Sequence, residues 1–203
     1  MHRWVGAGPP GWFQTEGVEF IRRVGIRRGW QVLDFGCGKG YYTIPTARLV
    51  GTGGLVYALD HDVNALSVLK DRAARMGLSN IRIVHSMDEL VLSLQDDLLD
   101  AALFYDVIHS YYFSASERSR LLHTMGKLIK DNAIVSLFPR HMNRFEVDEI
   151  KRELGEYGFS LVGELSSHLI HDEQFETGTI LNFRKRAKSG SHTQDGNRRR
   201  EIE

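Results

Sequence analysis

Two carboxylates frame a run of three glycines between Val32 and Asp60. Asp34 stands in "VLDFGCGKGYY", two residues before Gly36, and Gly38 and Gly40 follow at every second position. Asp60 closes "LVYALD", 20 residues after Gly40. Glycines in such a turn take backbone angles closed to other residues and let a ligand approach the main chain. The helix that follows starts with unpaired N–H groups. The spacing is G-x-G-x-G, without the extra spacer of a dinucleotide turn, because Tyr41 follows Gly40. Asp34 would repel a pyrophosphate and suits a ligand that carries an ammonium group. An acid at position 60 can accept hydrogen bonds from both hydroxyls of a ribose. The competing role for Asp60, a helix N-cap, fits Asp62 better. Together these residues describe a cationic or zwitterionic ligand of about nucleoside size.

Further polar groups follow later strands. In "VHSMDEL", Met87 can lie on a flat base, and Asp88 or the backbone beside it can meet an exocyclic amine. An ordinary loop with Met87 in the core is the alternative. "LFYDVIHS" brings Phe104, Tyr105 and Asp106 toward the same crevice. His109, just past that strand, is the best-placed base, and His141 in "FPRHMN" is second; a structural or surface role is the alternative for each. Cys37 has no base near it in the sequence, so it reads as a small residue that fits the turn. His168 and His171 lie three apart in a strand and face opposite sides, so no metal site is expected.

The elements that must position these groups alternate along the chain. Residues 15–25 have a helical spacing through Val18 and Ile21, with Phe20 and Val24 beside them. "WQVLDF", "LVYALD", "IRIVH", a part of "LLDAALFYDV" and "AIVSLF" read as five strands. Helices follow at "TIPTARLV", at Val63–Met76, at "SASERSRLLHTMGKLIK" and at "EVDEIKRELGEYGF". The apolar stripe of the second of these includes Val63, Leu66, Leu69, Ala73 and Met76. "SLVGELSSH" and "GTILNFRK" are too close for a crossover helix and should pair antiparallel. The expected fold is α/β, a doubly wound three-layer αβα sandwich with a seven-stranded, mostly parallel sheet. Residues 1–184 are expected to form one domain, opened by an irregular arm over residues 1–14. Residues 185–203 read as a disordered basic tail.

The chain has 203 residues, and its 26 Lys and Arg balance 26 Asp and Glu. The balance is uneven: from Arg184 onward there are seven basic against three acidic residues. No strongly basic face of a dedicated nucleic-acid binder results. No stretch approaches the roughly 20 apolar residues of a membrane span, and "MHRWVGAGPPGWFQ" lacks the apolar run of a secretory signal. With one cysteine, Cys37, no internal disulfide forms, and a cytoplasmic location is expected.

These residues resemble the class I S-adenosylmethionine-dependent methyltransferases, over roughly residues 15–184. "VLDFGCGKGYYT" resembles the family's first motif, "VYALD" its second, "NIRIVHSMDEL" its third and "LLDAALFYDVIH" its fourth. The chain departs from the family at "IKDNA", where a turn with proline and glycines is usual, and at Ser86 and Met87, where a glycine followed by an acid is common. The resemblance implies that Asp34 and the glycine backbone hold the methionine end of the cofactor. It places Asp60 on the ribose and Met87 with Asp88 on the adenine. Cys37, His61, Ser86 and Tyr105 complete the cofactor set that it implies. The reaction would be an in-line displacement at a sulfonium methyl, which needs alignment and a deprotonated acceptor.

A small-molecule acceptor is expected. The aromatics Trp4, Trp12, Tyr111, Tyr112 and Phe113 are candidates for a lid over it. RNA or protein as acceptor, a nicotinamide-dependent oxidoreductase and a non-catalytic cofactor-binding module are the alternatives. Monomer and homodimer are equally compatible with the sequence.

Overall fold

The computed structural model describes residues 11–87, 94, 96–171 and 173–187. Its strands are short apolar runs, and its helices carry one apolar stripe each. In chain order they are α1 (Gly17–Val24), β1 (Gln31–Phe35), α2 (Thr43–Val50), β2 (Leu55–Leu59), α3 (Val63–Arg75) and β3 (Ile81–Val84). Then come β4 (Leu99–Tyr105), α4 (Ala115–Leu128), β5 (Ile129–Phe138), α5 (Arg144–Glu156), β6 (Phe159–His171) and β7 (Gln174–Lys185). They form one seven-stranded sheet in the order β3-β2-β1-β4-β5-β7-β6. The strands from β3 to β5 pair parallel, and β7 runs antiparallel between β5 and β6.

The doubly wound sheet with a closing antiparallel pair is therefore the one expected. Its chain steps outward from β1 to β3 and returns on the other side of β1 at β4. That reversal opens a crevice beyond the carboxyl ends of β1 and β4, the usual ligand position of such sheets. Both faces of the sheet are covered. Val32, Leu103 and Tyr105 pack on the α1 and α2 side with Phe20, Ile21 and Ile44. Leu33, Phe104 and Val135 pack on the other side with Leu121, Met125 and Ile150.

Local chemistry ends the helices where the residues say it should. Asp62 caps α3 by accepting from the amides of Asn64 and Ala65, worth about 1 kcal/mol. Ser114 with Glu117, and Asn143 with Glu146, close capping boxes on α4 and α5. Gly25 ends α1 with a left-handed backbone, φ 105°.

Three expectations are corrected. The end of the N-terminal arm is regular: Trp12–Glu16 form a π-helical turn running into α1, with Trp12 and Phe13 buried. Val63 is 59% exposed, because as the first residue of α3 it precedes the turn that meets the sheet. Ile129, inside the helix expected at "SASERSRLLHTMGKLIK", belongs to β5 instead, since the strand starts without a loop. No described helix is long and apolar enough to cross a membrane. Trp4 and most of the basic tail lie outside the described residues.

Candidate functional site

The glycine turn is built from β1 outward. The amides of Gly36 and Cys37 both donate to the carbonyl of Leu59, at 2.8 and 2.9 Å, which ties the turn to the end of β2. Gly36, Gly38 and Gly40 all have positive φ, at 73°, 50° and 82°. Their surroundings differ. A Cβ on Gly36 would meet Val107 Cγ2 at 2.7 Å, and one on Gly40 would overlap Leu69 of α3. A Cβ on Gly38 would meet nothing within 4 Å. The outer glycines are packing positions, and Gly38 is the open one.

Asp60 faces that opening. Its Oδ2 accepts from the Gly38 amide at 2.7 Å and its Oδ1 from the Asp62 amide at 2.9 Å. The carboxylate is buried and fixed, yet each oxygen retains acceptor capacity for a hydroxyl. His61 is beside it, with Nδ1 3.5 Å from Oδ1, and the His61 carbonyl meets Nε2 of His85.

Asp34 lies below the turn, 2% exposed, and accepts from Thr43 Oγ1 at 2.6 Å. Burial pushes its carboxyl up to about 7; the Thr43 hydroxyl opposes the rise and the charge of Asp60 adds to it. Asp34 and Asp60 are near enough for the charge of Asp60 to add to the rise, and a cation beside them would offset that repulsion. Cys37 is buried, and burial pushes its thiol well up, as befits a packing residue.

The turn is clamped from two further sides. Trp12 Nε1 donates to the Tyr41 carbonyl at 2.7 Å, and Phe13 stacks on Tyr41. The guanidinium of Arg72 lies over both the Phe13 and Tyr41 rings and donates to the Lys39 carbonyl. On the opposite side Lys39 pairs with Glu173, in the turn between β6 and β7. Trp12 therefore packs under the turn and is not part of a lid. Tyr111 and Tyr112 are exposed at 83% and 56%, while Phe113 packs on Phe35.

Of the remaining expected cofactor residues, Ser86 is exposed just past β3, and Met87 packs against the core beside it. Asp88 lies outside the described residues. Tyr105 is placed away from the crevice: its ring packs on Phe20 and Tyr42, and its hydroxyl meets Ser136 Oγ at 2.9 Å. Strand alternation sends Phe104 and Tyr105 to opposite faces, and helices cover both.

The two candidate bases meet at Asp106, which the sequence reading brought toward the crevice without giving it a role. Asp106, directly after β4, has a left-handed backbone with φ 57°. His141 Nδ1 lies 2.8 and 2.9 Å from its two oxygens, and His171 Nε2 lies 2.6 Å from Oδ2. A carboxylate only accepts, so both nitrogens carry protons there, and His141 Nε2 is the basic atom on the exposed side. His109 is buried, and its Nδ1 accepts from the Tyr111 amide at 3.3 Å. Its Nε2 then bears the proton, has no hydrogen-bond partner and points at Asp106 Oδ1 from 3.7 Å. In that tautomer the lone pair of His109 is turned to the Tyr111 amide, and of the two candidates His141 presents the exposed nitrogen.

Position explains the cluster. The carboxyl ends of β4, β5 and β6 all lie at the same end of the sheet, which brings residues 106, 141 and 171 together. The loop after Asp106 reaches the glycine turn through the Val107–Gly36 approach. Glycine turn and histidine cluster are thus joined through the loop that follows β4.

Comparison with known proteins agrees with this geometry. The model of the family described as "Methyltransferase domain" matches residues 32–132, about half of the chain. A demethylmenaquinone methyltransferase of Staphylococcus aureus is 30% identical over 112 residues, which are 54% of this chain and 45% of that protein. The chain's match thus spans less than half the length of this curated relative. A S-adenosylmethionine-dependent methyltransferase from Aquifex aeolicus superposes with a TM-score of 0.65 at 18% identity, covering 88% of this chain and 93% of that one. Magnesium protoporphyrin IX methyltransferase from Synechocystis, solved with bound S-adenosylmethionine, gives 0.61 at 22% identity over 83% and 76% of the two chains. The seven-stranded, doubly wound sheet of this chain is the fold of these solved methyltransferases. On that fold the chain carries a methyltransferase domain over residues 32–132.

Proposed function

We propose that this chain transfers the methyl group of S-adenosylmethionine to a small-molecule acceptor. The observation that carries the reading is Asp60: a buried carboxylate fixed by the Gly38 amide, facing the one glycine of the turn with open space above it. Such an acceptor pair suits the two ribose hydroxyls. Asp34 and the glycine backbone take the charged methionine end, where the ammonium offsets the cost of an ionised buried carboxyl. Ser86 and Met87, just past the end of β3 beside β2, are the residues assigned to the adenine. His61 borders the ribose side.

The methyl is delivered toward the histidine cluster, the next group of polar side chains along the same sheet edge. Displacement at a sulfonium methyl requires an acceptor lone pair in line, and His141 Nε2 is the atom that can receive the acceptor's proton. The relatives named above take demethylmenaquinone and magnesium protoporphyrin IX, both small molecules, which supports the acceptor class. The test is transfer of labelled methyl from S-adenosylmethionine into a fractionated cell extract. Label is expected in the small-molecule fraction. Label confined to the RNA or protein fraction would overturn the acceptor class.

A further inference from the structure

The geometry points to a metal-ion site at Asp106, His141 and His171, filled by a first-row divalent cation of the zinc or iron(II) kind. The one-sentence basis is a juxtaposition: two imidazoles and one carboxylate, from three separate strand ends, offer ligand atoms that all lie within 4.8 Å of one another. Two histidines with one carboxylate and open remaining positions is a donor set that suits these ions. Hard cations such as magnesium prefer oxygen ligands and are poorly served by two imidazoles.

A second observation comes from outside the three ligands. Buried His109 directs an unpartnered Nε2–H at the same carboxylate, too far at 3.7 Å to bond it. A buried N–H without an acceptor costs about 1–3 kcal/mol. An oxygen bound to an ion held by Asp106 would supply the missing acceptor, and outer donors of this kind commonly accompany metal-bound groups.

The surroundings are built to hold the ligands. Tyr42 fixes the backbone of Ile170, one residue before His171, by two hydrogen bonds. The Asp106 amide donates to the Phe138 carbonyl at 3.0 Å, which sets β4 against the strand that leads to His141. Side-chain access remains, since His141 is exposed. The ion-bound and ion-free states share His141 Nδ1 and exclude each other: in one it ligates, in the other it donates to Asp106.

The test uses the full chain, stripped with a chelator and titrated with zinc alone by calorimetry and with cobalt(II) alone by visible absorption. No S-adenosylmethionine is present, so the result is independent of the proposed methyl transfer. One equivalent should bind, with cobalt bands of a nitrogen- and oxygen-ligated ion. His141→Ala and Asp106→Asn should each weaken binding by at least about tenfold. Asn tolerates the left-handed backbone at 106, and His141 is exposed, so both variants should fold. His168→Ala, in the same strand as His171 but outside the cluster, should bind as the parent does. Absence of binding, or binding that both cluster variants retain (an adventitious ion only), overturns the proposal.

Discussion

The hydroxyl of Tyr42 is bonded twice to one residue: it donates to the carbonyl of Ile170 at 2.9 Å and accepts from the amide of Ile170 at 3.0 Å. One side chain at the start of α2 thereby fixes the far end of β6. It links the glycine turn to the strand end that carries His171. Tyr42→Phe leaves both backbone groups of Ile170 buried without this partner. Unfolding by urea should show a loss of about 2–6 kcal/mol, from two unmet groups at 1–3 each. A loss under 0.5 kcal/mol would mean that the backbone finds other partners.

The three glycines of the turn should separate under substitution. Gly40→Ala and Gly36→Ala combine positive φ with overlap against Leu69 and Val107, and should lower the melting temperature strongly. Gly38→Ala meets no atom, so its folding cost is that of φ 50° alone, about 1–2 kcal/mol. It should nevertheless lose S-adenosylmethionine binding, because its Cβ occupies the open face. Equal melting losses at positions 38 and 40 would contradict this division.

Asp34 makes cofactor binding depend on pH. Its folded carboxyl sits at about 7 against an ordinary value of 3.8. The folded chain therefore holds a proton that the unfolded chain has lost, and this group reduces stability as pH rises from 3.8 to 7. A cationic ligand prefers the ionised form. Affinity for S-adenosylmethionine should fall up to about tenfold per pH unit below 7. Calorimetry across that range checks it, and Asp34→Asn should flatten the dependence. An unchanged slope in that variant would assign the proton elsewhere.

Arg118 joins α4 to α5 through a buried pair with Glu153, at 3.0 and 2.8 Å, and a further bond to Glu149. Removing one partner strands a charge that is 2% exposed. Glu153→Ala should cost about 3–5 kcal/mol, read from thermal or urea unfolding. A loss near 1 kcal/mol would show that Glu149 alone satisfies the guanidinium.

Much of this molecule was readable from residue order, and the limits have physical causes. The strand-turn-helix at Val32–Val50 is local: apolar run, glycines and helix start are adjacent, so spacing alone places them. The position of Asp60 was readable for the same reason, directly after a marked strand. Asp106 with His141 and His171 was not. Those residues are 35 and 30 positions apart, and only the register of β4, β5 and β6 brings them together. Rejecting His168 and His171 as a pair was correct for one strand, but it left open a partner from another strand. Tyr105 was misplaced because proximity to a strand end does not say which face a side chain takes. The π-helical turn at Trp12 carries no periodic pattern, and its partner Tyr41 is 29 residues away.

Binding of S-adenosylmethionine by the parent and by Asp60→Ala tests the central claim most directly. Calorimetry should show one equivalent bound by the folded parent, no binding of NAD, and a loss of S-adenosylmethionine affinity of at least about tenfold in the variant. Circular dichroism should confirm that the variant is folded. Undiminished binding in Asp60→Ala, or a parent that binds NAD in place of S-adenosylmethionine, would contradict the account.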